Sequence, residues 1–358
     1  MPSKEPTMQT IADLAGVSKM SVSRILRGHP HHNRETKEKV LGIAKRLGYR
    51  TNPLISALMT NLGQKKSSPY SPVIGLIHAL PYGQPLHPNM IEFRESAYIQ
   101  ANSSGYGIEE FYLNEPGMSP SRLIEILTSR GIHGIILEHF WVGDVKLDID
   151  LSKFASVSIG LTLVSPRLHR VDRDHYNDMM MAMKKVRSLG YNRIGIANID
   201  PAEDTKDYRR VACFEYLQNH DDTGMVVPPM KAKSKAQLKQ RFKAWLEDNQ
   251  PDVVMSQHME IPGYLKDWGY KVPRDIGFLH LDMCKTLKEF AGIYSNWAQK
   301  GIVAVNQVVD QLNRGEFGVP QNPITTVVES RWMDGPSLKY PQVQSAKKRS
   351  EPANVAVI

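Results

Sequence analysis

A chain of 358 residues with 41% hydrophobic and 23% charged residues is long enough for two or three packed domains and has an ordinary globular composition. It shows no apolar run that could cross a bilayer and no signal peptide, so we expect a cytoplasmic protein. Cys213 and Cys284 match neither a disulfide framework nor a zinc spacing, so we expect buried thiols, no metal and no cofactor.

The net charge of +8 is concentrated at one end of the chain. Residues 1–66 contain twelve Lys or Arg and four Asp or Glu, whereas the remaining residues contain 33 of each sign. A membrane surface would also attract such a segment, but the strongly apolar face of an interfacial helix is missing. The charge therefore favours a polyanion of defined shape as the partner.

Two short amphipathic helices are predicted between residues 10 and 26. Apolar residues recur at helical spacing, at Ile11, Leu14 and Ala15 and again at Val22, Ile25 and Leu26. Gly16 suits the left-handed conformation that ends the first helix, Val17 fills the corner, and Ser18 caps the second helix. An unrelated helical hairpin would show a similar apolar pattern, but this combination with the local charge favours a helix-turn-helix.

A third helix is predicted to begin after the capping residue Asn33, and the sequence then matches a known pattern. Its inward-facing residues are Val40, Ile43, Ala44 and Leu47. The whole segment resembles the headpiece of the LacI/GalR family of bacterial transcriptional regulators. The residues that carry the resemblance are Thr10-Ile-Ala-Asp-Leu-Ala-Gly-Val-Ser18, Val22-Ser-Arg24, Thr36, Val40, Leu47-Gly-Tyr49 and Asn52.

The resemblance implies that the second helix enters the major groove of DNA. The positions after the capping serine would select bases: Lys19 suits guanine acceptors, and Met20 offers apolar contact, for instance to a thymine methyl. The hydroxyls of Ser18 and Ser23 suit phosphates or a helix cap, which position the protein without specifying sequence. The remaining headpiece candidates for DNA contact are Thr10, Ser21 and Arg24.

The segment that follows, residues 52–60, resembles the hinge helix of the same family. The resemblance implies DNA contacts from Asn52 and a wedge at Leu58, which enters the minor groove and bends the duplex when two hinges dock together. Pro53 is compatible with the first turn of a helix. Core packing is the alternative for Leu58, but residues 64–72 read as a linker, and a hinge beside a linker fits better.

From residue 73 onward, short apolar runs alternate with helical patterns, which predicts two halves built from parallel β-sheets. The predicted strands are 73–77, 108–113, 134–137 and 157–159 in the first half, and 193–197, 226–227, 252–255 and 276–279 in the second. The predicted helices are 89–103 and 119–130, then 174–189, 207–219, 235–248 and 300–314. The pairs Asp172/Asp174 and Glu203/Asp204 are expected in solvated loops, and the sequence shows no nucleophile elbow, phosphate loop or zinc-protease motif, so we expect no enzyme.

This larger region resembles the sensor domain of the LacI/GalR family in residues 189–196 and 272–282. The resemblance implies a ligand in the cleft between two lobes, at the carboxyl ends of the strands. By position it implies Arg210, Asp282 and Asn177 as ligand contacts, with Tyr176 or Trp297 as a stacking ring and His258 on the wall. Each has an alternative: Arg210 would pair with Asp207, and Trp297 would belong to the core or to an interface.

We therefore predict a small all-α headpiece with a hinge helix, followed by a two-lobed α/β domain like that of periplasmic binding proteins. The predicted boundaries are 7–51 for the headpiece, 52–72 for hinge and linker, 73–335 for the effector-binding and dimerisation domain, and 336–358 for a disordered tail. The expected function is allosteric repression: a homodimer on a palindromic operator in double-stranded DNA of the nucleoid, controlled by a carbohydrate or related small molecule. A periplasmic solute-binding protein and an α/β enzyme are the alternatives.

Overall fold

The computed structural model describes residues 7–26, 33–47, 49, 72–140, 143–199, 208–220 and 225–340. Within these ranges the chain forms a three-helix headpiece and a two-lobed α/β region. The predicted hinge, with Asn52 and Leu58, lies outside the described residues. In the described part of the chain, no helix is both long and apolar enough to span a membrane.

Each helix of the headpiece begins at a capping side chain or follows a glycine turn. The helices are α1 (Met8–Ala15), α2 (Lys19–Leu26) and α3 (Arg34–Arg46). Gly16 adopts a left-handed φ of 71° and donates its N–H to the carbonyl of Ala12, which ends α1. Ser18 and Asn33 each accept a hydrogen bond from the backbone N–H three residues later, at 3.1 and 2.8 Å. The predicted stop and caps are confirmed.

The headpiece has its own apolar core, built by one face from each helix. The buried residues are Ile11, Ala12, Ala15, Val22, Ile25, Val40, Ile43 and Ala44. Leu14, predicted to face inward, is 56% exposed. The buried stripe of α1 runs through positions 11, 12 and 15, so the side chain at 14 points away from the other two helices.

The first lobe is a parallel sheet with helices on both faces. Its strands, in spatial order, are β13 (Thr325–Val328), β7 (His169–Arg173), β5 (Ala155–Ile159), β3 (Gly134–Leu137), β1 (Val73–Pro81) and β2 (Gly107–Asn114). The covering helices are α4 (Pro88–Ser103) and α10 (Trp297–Arg314) on one face and α5 (Pro120–Ser129) on the other. Gly301 lets α10 approach α4 closely, because a Cβ there would collide with the carbonyl oxygen of Phe93. A short pair, β4 (Val145–Lys146) and β6 (Leu163–Ser165), lies beside this sheet.

The second lobe repeats the arrangement. Its strands, in spatial order, are β14 (Arg331–Met333), β12 (Ala291–Tyr294), β11 (Gly277–Met283), β10 (Val253–Ser256), β8 (Ile194–Ile199) and β9 (Met230–Ala232). Only β14 runs antiparallel to its neighbour among these pairs of described residues. The helices are α6 (His175–Ser188), α7 (Arg209–Asn219), α8 (Lys235–Asn249) and α9 (Glu260–Asp267). The predicted fold class is confirmed.

Three details of the sequence prediction are wrong. The helix predicted at 300–314 as part of the second half packs on the first lobe, because its apolar face meets α4, β3 and β5. Residues 226–227 form no strand; the edge strand is β9, a few residues later. The predicted boundary at 335 is too early, because Leu338 is buried in the second lobe and Ser337 bridges the backbones of Phe278 and Ala291.

The chain crosses between the lobes three times, from β7 to α6, from β12 to α10, and from β13 to β14. We call these the crossing segments. A side-chain contact adds to them: Glu92 on α4 accepts hydrogen bonds from the backbone N–H of Lys285 at 2.8 Å and from the hydroxyl of Tyr294 at 2.7 Å, both in the second lobe.

Candidate functional site

The first candidate site is the exposed face of α2. Lys19 and Arg24 are exposed, the side chain of Met20 is 63% exposed, and the helix is held from behind by the buried Val22 and Ile25. The helix carries no acidic residue. A basic face with one apolar side chain on a rigidly packed helix has the chemistry needed to read base edges in a major groove.

The hydroxyl groups predicted to contact DNA are mostly engaged in capping. Ser18 Oγ lies 3.0 Å from Ser21 Oγ and accepts the backbone N–H of Ser21. Thr10 Oγ1 accepts the N–H of Thr7 at 3.3 Å and lies 3.0 Å from that residue's hydroxyl. Ser23 is half-buried. These side chains fix the start of each helix and leave Lys19, Met20 and Arg24 as the projecting groups.

The second candidate site is a cleft of about 710 Å³ between the lobes. Its lining comes from the carboxyl ends of parallel strands and the first turns of helices, where ligands of open α/β sheets bind. The apolar part is Ile159, Leu161, Met259, Leu287 and Trp297, and the polar part is His87, His139, Asp172, Arg173, His175, Lys235, Gln257, His258, Glu260, His280, Asp282 and Lys300.

A buried ion network centred on Arg173 lies at the bottom of the cleft. The guanidinium contacts Asp178 Oδ2 at 2.5 Å and Asp282 Oδ1 at 2.8 Å, and donates to the carbonyl of Leu281 at 2.6 Å. Burial would raise the pKa of Asp282, but Arg173 and Lys300 outweigh burial and hold that pKa well below its ordinary value. Asp282 is therefore a fixed carboxylate that faces the cleft.

Beside this network lie Asp172, His175 and Lys300, all buried. Asp172 Oδ2 is 3.5 Å from His175 Nε2. Burial would raise the pKa of Asp172, but the nearby His175 and Lys300 lower it. Burial lowers the pKa of Lys300 to about 8, although Asp172 and Asp282 favour its charged form. Its ammonium lies 3.6 Å from the centre of the Trp297 ring.

Two further groups complete the polar base of the cleft. Burial lowers the pKa of His280 to about 4, so this side chain is neutral near pH 7. Arg210 is fully buried and donates from Nη2 to Gln257 Oε1 at 2.9 Å. We use "the floor" for Asp172, Arg173, His175, Asp178, Arg210, His280, Asp282 and Lys300.

The structure brings together only some of the predicted ligand contacts. Asp282, His258 and Trp297 line the cleft, and Arg210 supports it from behind through Gln257. Tyr176 and Asn177 do not line it. In the first turn of α6 it is His175 that faces the cleft. Tyr176 is 46% exposed, and Asn177 donates its backbone and side-chain N–H groups to Asp174, the residue that caps the helix.

Trp297 is both a core and a cleft residue, so neither sequence interpretation alone was right. The ring is only 6% exposed and packs edge-on against Phe93 and His139. The ammonium of Lys300 covers one of its faces. Trp297 is therefore not an open stacking platform on that face.

The sequence prediction missed Asp172, Arg173, His175, His280 and Lys300. It placed the segment 172–174 in a solvated loop, whereas Asp172 and Arg173 are at least 95% buried. The signal was present: Val171-Asp-Arg173 directly follows a buried strand position, and carboxyl ends of strands meet at the cleft. Lys300 gives no such signal, because a lysine in an amphipathic helix ordinarily faces solvent.

The headpiece matches a family model, and longer stretches of the chain are similar to individual proteins. Residues 7–52 match the sequence model of the family described as bacterial regulatory proteins, lacI family. The chain is 26% identical over 197 residues to the HTH-type transcriptional regulator AglR of Rhizobium meliloti (strain 1021). The aligned region covers 53% of this chain and 52% of AglR. The chain thus spans about half the length of this curated relative.

Solved structures with similar folds include transcriptional regulators. A transcriptional regulator CelR–cellobiose complex covers 93% of this chain and 99% of its own at 18% identity, with a TM-score of 0.57. A lac repressor dimer bound to operator and the anti-inducer ONPF covers 94% and 100% at 15% identity, with a TM-score of 0.54. Residues 7–52 are a headpiece of the lacI family of bacterial regulatory proteins, and the resemblance of the chain to the LacI/GalR family is confirmed.

Proposed function

We propose that the chain is a sequence-specific DNA-binding transcriptional regulator, a repressor whose affinity for its operator is controlled by a small molecule in the cleft. The observation that carries the proposal is the headpiece: a lacI-family domain that presents a basic, acid-free face on a helix packed against its own core. The cleft supports the second part, because its polar floor lies at the carboxyl ends of the strands. We place this function in the cytoplasm, on the nucleoid.

On DNA, we assign base reading to Lys19 and Met20, which are exposed in the first turn of α2. Arg24 supplies a contact to the sugar-phosphate backbone, and Thr10, Ser18, Ser21 and Ser23 position helix ends against phosphates. Asn52 and Leu58 belong to the proposed hinge, with Leu58 as the minor-groove wedge.

We propose a homodimer on a palindromic operator, because one headpiece offers a single recognition helix and a half-site is short. An apolar strip on α4 supports self-association: Ile91, Tyr98 and Ile99 are exposed on one helix of the first lobe. The lac repressor, whose fold this chain shares, is described as a dimer bound to operator.

In the cleft, we propose a carbohydrate or related small molecule held by Asp282 and His258, with Arg210 fixing the wall. The cleft combines an apolar wall with fixed donors and acceptors, which is the chemistry that hydroxyl-rich ligands require. The structural relative CelR is described with cellobiose. No metal or cofactor enters the proposal.

Binding-site selection on random double-stranded DNA tests the function as a whole. The full chain should enrich a palindrome, and a sugar that binds the cleft should change its affinity for the enriched site. Recovery of unrelated sequences, with binding that depends only on salt, would mean a non-specific DNA-binding protein.

Two variants separate base reading from backbone contact. Lys19→Ala should change the enriched sequence and cost about 1–3 kcal/mol at the affected base pair. Lys239→Ala, at an exposed lysine of the second lobe, is the control and should leave the enriched sequence unchanged.

Leu58→Ala tests the proposed wedge and should weaken specific DNA binding more than non-specific DNA binding. Equal loss of both would remove the wedge from the proposal, and a uniform loss in Lys19→Ala would reduce Lys19 to a phosphate contact.

A further inference from the structure

Lys300 is a buried cation of the floor that also lines the cleft. Its side chain is 98% buried, yet within the described residues its ammonium has neither a hydrogen-bond acceptor nor a carboxylate within 4 Å. The contact that the structure does show is the Trp297 ring, which offers no oxygen. A buried ammonium with three N–H donors is expensive to leave without acceptors, so the cleft is where those acceptors must come from.

The complementary group is Asp282. Its Oδ1 atom is saturated: it accepts from Arg173 Nη1 at 2.8 Å and from Ser295 Oγ at 2.5 Å, with Trp297 Nε1 at 3.5 Å. The side chain is still 25% exposed, and it lines the cleft. Lys300 and Asp282 both line the cleft, and the charge of Asp282 favours the charged form of Lys300. They offer a donor and an acceptor to the same cavity, which two adjacent hydroxyl groups on a ligand would satisfy.

The charges of the floor are balanced. Among the described residues it holds three carboxylates, Asp172, Asp178 and Asp282, and three cations, Arg173, Arg210 and Lys300. His175 and His280 add no charge near pH 7, because burial lowers the pKa of each. Lys235 and Glu260, which also line the cleft, form an ion pair at 2.5 Å, so their charges cancel as well. A ligand with a net charge would leave an uncompensated charge in a buried site.

We propose that Lys300 and Asp282 together form the specificity-determining pair of the cleft, which selects a neutral ligand with two adjacent hydroxyl groups and rejects its acidic, phosphorylated and amino counterparts. The inference rests on the proposed function, because it takes the cleft to be the ligand site. It goes beyond that function in naming the charge class of the ligand and in assigning a role to Lys300.

A matched panel of sugars tests the charge class. The full chain is titrated by calorimetry, without DNA, with D-glucose, D-galactose, D-xylulose, cellobiose and maltose, and with the sugar acid, phosphate and amino form of each. At least one neutral sugar should bind, and its charged counterparts should bind about tenfold more weakly or worse. A charged counterpart that binds as tightly, or a panel without any binder at millimolar concentration, overturns the proposal.

Two substitutions test the pair itself by changing the charge of the floor in opposite directions. Lys300→Met leaves the floor one unit negative, so the ratio of amino sugar to neutral sugar affinity should rise about tenfold. Asp282→Asn leaves it one unit positive, so the sugar acid should gain by a similar factor. A purely structural lysine would leave both ratios unchanged, and that result overturns the proposal even if the neutral sugar binds more weakly.

The control is Lys243→Met. Lys243 also lies over a tryptophan, with its ammonium 6.0 Å from the ring centre of Trp268, but on the outer surface of α8. It should leave every ratio unchanged. Thermal unfolding of each variant checks folding, and Lys300→Gln, which keeps N–H donors without the charge, replaces Lys300→Met if that variant does not fold. Affinity for the selected DNA is measured separately: a neutral sugar that binds without altering it leaves the ligand class standing and contradicts the proposed regulation.

Discussion

The headpiece and the cleft floor are built in opposite ways. Among its described residues the headpiece buries only apolar side chains, from helices that lie within 40 residues of each other, and it exposes most of the charges of α2 and α3. The floor holds six charged side chains from β7, α6, α7, β11 and α10, up to 128 residues apart along the chain; five are buried, and Asp282 is 25% exposed. The first region is governed by local pattern and the second by long-range charge pairing, and each responds to different substitutions.

The strongest test of this contrast is Arg173→Met. It would leave the buried Asp178 and the 25% exposed Asp282 without their shared cation, and removal of one partner of a buried ion pair costs about 3–5 kcal/mol. Calorimetry should show a lower melting temperature for the lobes and an unchanged headpiece transition. Arg274→Met, which breaks the exposed pair with Asp275, is the control and should leave the melting temperature nearly unchanged. Equal losses of stability in the two variants would mean that burial does not strengthen the ion pairs of Arg173.

The reciprocal test is Ile11→Ala in the headpiece core. Ile11 is fully buried, so loss of its side chain should cost about 2–5 kcal/mol, enough to unfold a small domain and abolish DNA binding. Calorimetric binding of a sugar in the cleft should be unaffected. Leu14→Ala, on the exposed side of the same helix, should leave DNA affinity near that of the parent chain. Loss of sugar binding in Ile11→Ala would show that the two regions do not fold independently.

A smaller effect is expected from acid. The pKa of His280 is about 4 in the folded chain and 6.5 in the unfolded chain, so the unfolded chain binds more protons between these values. Stability should therefore fall as the pH drops from 6.5 to 4, by about 1–3 kcal/mol from this residue. His280→Asn should flatten that part of the profile of unfolding free energy against pH. If the variant keeps the full slope of unfolding free energy against pH, other groups cause the acid sensitivity.

The smallest predicted effect concerns the cap of α3. Asn33→Ala removes the acceptor for the N–H of Thr36 and should lower headpiece stability by about 1 kcal/mol, with no change in the lobes. Asn33→Asp keeps an acceptor and serves as the control. Helix content by circular dichroism during thermal unfolding gives the comparison; identical curves for the two variants would show that the cap contributes nothing.

The same contrast explains what could be predicted from the sequence. Helix stops and caps such as Gly16, Ser18 and Asn33 depend on neighbours three or four residues away, and they were placed correctly. The two-lobed sheet architecture also follows from the alternation of patterns. Strands such as β7, with the sequence His-Arg-Val-Asp-Arg, were missed because their charged residues are buried by partners that lie more than 100 residues away in the sequence.

Lys300 shows the limit most clearly. Nothing in the sequence around it distinguishes it from an exposed helical lysine, and its burial follows from the way α10 crosses back to the first lobe. The sequence also could not show that Lys300 covers one face of Trp297, because that contact exists only once α10 is packed.

The crossing segments have a mechanical consequence. Any rotation of one lobe relative to the other must be absorbed by backbone dihedral changes in those short stretches of chain. Two of the three stretches adjoin cleft residues: Arg173 and His175 flank one, and Trp297 begins the helix that follows another. Under the proposed function, a molecule in the cleft would contact residues at these pivots, so filling the cleft would also fix the angle between the lobes.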